Sequence, residues 1–196
     1  MAKLFRVGLT GNIASGKSSV VAAWRDLGAH VIDADVLARA AIAPGTPGHG
    51  RVLDEFGTVD RARLRELVFR DPARREALER IIHPEVARLR AEQEAQLAQA
   101  GVPVVVNDSP LLFEAGLEGD VDLIVLVDAP RAERIRRIVD NRGIAADEAE
   151  LMVNAQMPAE QKRRRSDIVI ENDGSMADLK KRADEAWRQI QQRASA

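Results

Sequence analysis

The chain has 196 residues, 45% hydrophobic and 31% charged, and a net charge of −2. Such a length supports one domain with a buried core, and so small a charge gives no field to draw in nucleic acid or an anionic membrane. With no cysteine there is no disulfide, thiolate nucleophile or zinc–thiolate site, which fits a reducing cytoplasm. The opening "MAKLFRVGLTG" lacks the apolar run of a signal peptide, and no segment nears the roughly 20 apolar residues of a membrane span.

In chain order, Leu4–Leu9 reads as a short buried strand and Ser18–Leu27 as a helix that Gly28 ends. "HVID" (His30–Asp33) is a second strand, and "ADVLARAAIA" turns helical before "PGTPG" (Pro44–Gly48) breaks it. Arg51–Gln99 is mostly helical, with breaks expected at Gly57, Asp71-Pro72 and His83-Pro84, each X-Pro pair suiting a helix start. Val102–Pro110 and Asp122–Pro130 are the third and fourth strands, and two helical segments separate the fourth from a fifth, Asp167–Asp173. Met176–Arg193 closes the chain as an amphipathic helix on whose apolar face Trp187 lies, as Trp24 does on the first helix, both as core residues. Continuous apolar strands separated by helices specify an α/β protein with a doubly wound, parallel, five-stranded sheet. In such sheets ligands sit at the carboxyl ends of the strands.

At the end of the first strand, Gly11-Asn12-Ile13-Ala14-Ser15-Gly16-Lys17-Ser18 fits G-x-x-x-x-G-K-[ST], with the strand before it and the helix after it that this loop requires. Glycines let the loop wrap so that backbone N–H groups meet phosphate oxygens, and the helix adds its positive end. Lys17 would bridge the β- and γ-phosphates and the Ser18 hydroxyl would hold Mg²⁺, so a nucleoside triphosphate with Mg²⁺ is the expected ligand.

Asp33 and Asp35 end the second strand with the two-residue spacing that lets both face one side. A kinase needs such a carboxylate to orient its acceptor hydroxyl or take its proton. The alternative is that one aspartate caps the next helix while the other pairs with Arg39, four residues on. Asp108 ends the third strand, either near a metal or as an ordinary strand cap, and "SPLLFEAGL" carries Glu114 in an apolar loop. "RAERIRRIVDNRG" (Arg131–Gly143) and "KRRR" (Lys162–Arg165) are basic, mostly as solvated helix faces, though phosphoryl transfer needs an arginine or two on the transferred group. An aromatic content of 3% argues against nucleic acid as the partner of these segments. His83, alone at a helix boundary, reads as a cap before it reads as a catalyst.

Taken together, "GLTGNIASGKS", "VIDADVLAR", "IIHPEV", "DSPLLFEAGL", "NRG…Q" and "SDIVIENDGS" resemble the dephospho-CoA kinase family, in that family's order and over nearly the whole chain. The resemblance implies transfer of the ATP γ-phosphate to the ribose 3′-hydroxyl of dephospho-CoA, with ATP and Mg²⁺ as cofactors and no nucleic-acid or membrane partner. It implies a nucleoside-monophosphate-kinase-like P-loop domain over residues 1–196, with a helical CoA region at 48–100 and a lid at 131–166. Asp35 would be the base or hydroxyl-orienting group, while Thr10, Asp33, Arg39, His83, Asp108, Leu111, Leu112, Phe113 and Glu114 would line or support the acceptor site. Asn12, Ile13, Ala14, Ser15, Gly16, Lys17, Ser18 and Ser19 would hold the nucleotide, with Asn172 near the adenine. Arg142 is the first choice for the lid arginine, with Arg136 and Arg137 as competitors.

The chain departs from the family pattern at three places. Asn12 and Ala14 stand where glycines are usual, which is harmless where neither needs a positive φ. The connection within "EFGTVDRARL" is short, and the arginine spacing before Gly143 is irregular. Two other readings fit the loop alone: a different small-molecule P-loop kinase acting on a nucleoside or similar alcohol, and a nucleotide-binding regulator without turnover.

Overall fold

The computed structural model describes residues 4–69 and 71–196. The chain divides into two compact units, one formed by the chain up to Val31 with Gly101–Ala196 and the other by Ile32–Ala100.

The first unit is built on β1 (Phe5–Gly11), α1 (Lys17–Asp26), β2 (His30–Asp33, which runs into the second unit), β3 (Val104–Asp108), β4 (Leu123–Asp128) and β5 (Ile168–Glu171). The five strands lie in the order β2-β3-β1-β4-β5. The pairings of β1 with β3 and β4, and of β4 with β5, are parallel. Alternation assigns the two faces of this sheet. Val7, Leu9, Val104, Val106, Val125, Val127 and Ile170 meet α1 and the closing helix on one side, while Ile124 packs on the other with Leu112 and Phe113. Both faces are therefore covered, as continuous apolar strands require.

The closing helix, Met176–Ala194, carries Trp187 against Trp24 of α1, with ring centroids 5.5 Å apart and planes at 37°. Both indoles are buried as expected, and Trp24 Nε1 donates to the Ala183 carbonyl at 2.8 Å. Truncating an indole so placed costs about 3–5 kcal/mol.

Between β4 and β5 there are three helices rather than the two expected: α6 (Arg131–Arg142), α7 (Ala146–Asn154) and α8 (Ala159–Arg164). Gly143, with φ of 64°, ends the first. Pro158 then starts a short third helix that the polar sequence conceals.

The second unit holds α2 (Ala34–Ala41), α3 (Pro47–Phe56), α4 (Arg61–Phe69) and α5 (Pro72–Gln99), with α5 packed against the other three. Asp71 caps α5, accepting from Ala73 N at 3.0 Å and Arg74 N at 3.1 Å, with Pro72 at the first position as expected. The second expected break does not occur, because Pro84 lies inside a helix of 28 residues. A proline there removes one backbone donor, but the flanking turns are rich in Ala, Leu, Glu and Arg, which favour helix. Glu85, buried beside it, accepts from Arg51 of α3 at 2.6 Å and from Arg88 at 3.1 Å, fixing that turn from outside the backbone. The short connection after Phe56 is closed by Gly57, with φ of 66°, and by Asp60, which accepts from Arg63 N at 3.0 Å. Among the described residues no helix is long and apolar enough to cross a membrane.

Candidate active site

The loop between β1 and α1 is set by two glycines for different reasons. A Cβ on Gly11 would lie 2.6 Å from Ser15 Oγ and 2.7 Å from the Val127 carbonyl, so side chains are excluded by close approach. Gly16 caps α1 with φ of 94° and no side-chain bond to the first turn. The first N–H groups of a helix have no intrahelical acceptor. Among the described residues those of Ala14, Gly16, Lys17 and Ser18 have no acceptor outside the helix either. A set of unpaired donors at the positive end of a helix is a site for phosphate oxygens. Lys17 is ion-paired with Asp108 at the end of β3, so the strand-end carboxylate holds the ammonium beside those donors.

Ala14 has φ of 59°, the one positive φ outside glycine among the described residues. The glycine usual at this place therefore has a conformational reason, and an alanine there is strained by about 1–2 kcal/mol. Asn12 takes no positive φ, and its substitution is harmless in this respect.

Asn172, expected near the adenine, is buried behind the loop, where its Nδ2 donates to the Ser15 carbonyl at 2.8 Å and its backbone N–H to the Asp128 carbonyl at 2.7 Å. Arg137 lies over the same place, with Nη1 3.2 Å from the Ala14 carbonyl and Nη2 3.3 Å from that of Asn172. Arg136 is exposed and bound to Glu133 at 2.8 Å and Asp140 at 3.0 Å. Arg142 is exposed in the last turn of α6, with Nη1 3.6 Å from Met152 Sδ. Further along, Arg182 holds the Asp173 carboxyl below its ordinary range by a hydrogen bond, and the Ser175 hydroxyl does the same to Asp178 in the cap of the closing helix.

The segment after β3 is pinned to β1 and to α8. Thr10 is buried, and its Oγ1 donates to the Pro110 carbonyl at 3.1 Å. Leu112 and Phe113 are core residues, whereas Leu111 is 52% exposed and presents apolar surface. Glu114 pairs with Lys162 at 2.8 Å, and Arg165 stacks over the Phe113 ring at 4.7 Å while pairing with Glu118. The basic run was expected to be mostly solvated, yet Lys162 is fully buried. Successive helix residues point about 100° apart, so a run of four like charges covers several faces. Here Lys162 goes inward, Arg163 binds Asp128 and Glu171, and Arg164 faces Glu160 outside.

Four of the expected residues belong to the second unit. Asp33 caps α2, its Oδ1 accepting from Asp35 N at 2.8 Å and Val36 N at 3.1 Å. Asp35 sits exposed in the first turn, and its carboxylate forms no bond among the described residues. Arg39 Nε donates to the Asp35 backbone carbonyl at 3.0 Å rather than to its carboxylate. Capping thus explains Asp33 and leaves the Asp35 carboxylate without a local structural partner. His83 is exposed in the middle of α5 and caps no helix.

Within the first unit, two residues given no role by the sequence join the loop after β1 to the segment after β3. Ile13 N donates to Gln156 Oε1 at 2.7 Å, and Asn12 Nδ2 to the Met157 carbonyl at 3.0 Å. Met157 N in turn donates to Glu114 at 3.3 Å. Only the glutamine of "NRG…Q" hinted at them.

The dephospho-CoA kinase family model matches residues 5–178. A dephospho-CoA kinase from Frankia casuarinae is 42% identical, over 98% of this chain and 86% of its own length. One from Thermobifida fusca is 40% identical, over 97% and 98%. A crystal structure from Thermus thermophilus superposes with a TM-score of 0.82 at 42% identity, covering 94% of this chain and 96% of that one. A dephospho-CoA kinase from Campylobacter jejuni, at 21% identity and a TM-score of 0.65, covers 95% and 97% and shares the fold.

Proposed function

The chain belongs to the dephospho-CoA kinase family, and we propose that it transfers the γ-phosphate of ATP to the ribose 3′-hydroxyl of dephospho-CoA, giving CoA and ADP in the cytoplasm. The observation that carries the reading is the unpaired set of N–H donors at the head of α1, with Lys17 held beside them by Asp108, in a chain that the family model matches over residues 5–178.

Phosphoryl transfer leaves little covalent work to the protein, so its residues act by positioning and charge. In this reading the N–H groups of Ala14, Gly16, Lys17 and Ser18 hold the β- and γ-phosphates. Lys17 leaves or shares Asp108 to reach their oxygens. Asp35 orients the acceptor hydroxyl and takes its proton, a role supported by an exposed carboxylate with no local partner. Asp33 fixes the turn that carries it, and Arg39 stays at that turn through the Asp35 carbonyl. His83 in the second unit is read as an acceptor-binding residue, and so, in the first, is the exposed Leu111, with Leu112 and Phe113 in the core behind it.

Residues 131–166 serve as the lid, and the arginine that meets the transferred charge is read as Arg137. Its bonds to the carbonyls of Ala14 in the loop and of Asn172 after β5 support that choice, whereas Arg142 would first have to leave Met152. Among the described residues the exposed Ser18 hydroxyl has no partner, and no cluster of three or more acidic or histidine side chains is gathered for a metal. That donor set suits Mg²⁺, which keeps waters and phosphate oxygens as most of its ligands. When bound, the ion neutralises charge on the phosphate oxygens.

The test is the position of the new phosphate. Phosphorus NMR of the product from Mg·ATP and dephospho-CoA should show one new monoester, coupled to the ribose 3′ proton. A monoester at the 2′ position, or none, would reject the assignment.

A further inference from the structure

Ala14, in its left-handed conformation, stands between two side chains that hold the backbone around it. On one side the Ile13 N–H donates to Gln156 Oε1 at 2.7 Å. On the other the Ala14 carbonyl accepts from Arg137 Nη1 at 3.2 Å. A non-glycine residue keeps such a φ where its surroundings over-determine it, and a chain released from them relaxes towards negative φ.

We propose that Gln156 is a positioning residue for the nucleotide: with Arg137 it clamps Ala14 at positive φ and so keeps the N–H groups of Ala14, Gly16, Lys17 and Ser18 turned towards the phosphates. The proposal rests on reading Gly11–Ser18 as the phosphate loop and is independent of the acceptor. Gln156 is suited to the task because its own base is fixed. The next residue, Met157, accepts from Asn12 Nδ2 at 3.0 Å and donates to Glu114 at 3.3 Å. Glu114 is in turn held by the fully buried Lys162. Met157 also packs against Leu112, Phe113 and Ile124 of the core. The turn between α7 and α8 is thus a fixed post, and the Gln156 amide reaches from it to the N–H of Ile13, the residue before the strained one.

A clamp makes a specific demand: its loss should matter less once the strain is gone. Glycine adopts positive φ without the cost that alanine bears. Binding of Mg·ADP, measured by calorimetry, reads the loop without an acceptor, so a wrong acceptor and a wrong role for Gln156 give different results. Gln156→Met keeps the size and removes the acceptor atom, and it should weaken Mg·ADP about tenfold, as loss of a partly buried hydrogen bond would. The same substitution in a chain that carries Ala14→Gly should weaken it less than about threefold. Equal losses in the two backgrounds would mean that Gln156 acts through packing alone and would overturn the proposal, as would Gln156→Met binding like the parent. Should Gln156→Met fail to fold, Gln156→Asn keeps the amide but falls one methylene short, and the same pair of measurements decides.

Discussion

Lys17→Ala abolishes phosphoryl transfer, with turnover expected to fall by about 10³-fold or more. The loop N–H groups remain in this variant, since they belong to the backbone, so nucleotide binding weakens without disappearing. What is lost is the ammonium group held at the head of α1 beside the phosphate donors. The structure adds a second consequence that the motif does not convey. Lys17 and Asp108 form an ion pair whose side chains are only 14% and 10% exposed. Removing one partner of a pair so buried also loosens the end of β3 and lowers the stability of the fold. Thermal melting must therefore accompany the kinetics. A variant that is folded and inactive supports the phosphate role. One that is folded and turns over near the parent rate refutes it.

Asp35→Asn is expected to lower kcat by about 10²–10⁴-fold, the range for a lost general base, with ATP affinity nearly unchanged. The structure makes this a clean substitution. The α2 cap uses the Asp33 carboxylate and the Asp35 backbone N–H, both of which survive. Arg39 holds the Asp35 carbonyl, which also survives. The carboxylate itself is exposed and forms no bond among the described residues, so its change to an amide should leave the fold intact. Steady-state kinetics with both substrates check the point. Near-normal turnover by Asp35→Asn would remove the base assignment, and a comparable fall for Asp33→Asn alone would move it to the capping residue.

The parallel sheet was legible because each strand is an apolar run closed by Gly, Pro or Asp, and the phosphate loop because its spacing fixes a strand, a turn and a helix together. Tertiary partners were not legible. Pro84 reads locally as a helix start, but the formers on either side and the Glu85 bonds carry α5 through it. Lys162 reads as one of four surface charges, and only the fold supplies Glu114 to bury it against. Ala14 looks like a tolerable replacement for glycine until its φ is known. Gln156 lies more than 140 residues from the Ile13 N–H it accepts from, and no local rule connects them. Of the three arginines weighed for the lid, helix geometry sends Arg136 into pairs along its own helix, leaves Arg142 at the far end, and turns Arg137 to the loop.

The central claim is that one chain joins a phosphate loop to a specific alcohol acceptor. Release of ADP from Mg·ATP, followed with dephospho-CoA, with adenosine, with AMP and with no acceptor, tests it most directly. Turnover that appears with dephospho-CoA and stays at background in the other three arms is the result expected. Equal ADP release with adenosine, or release that ignores dephospho-CoA altogether, would contradict it.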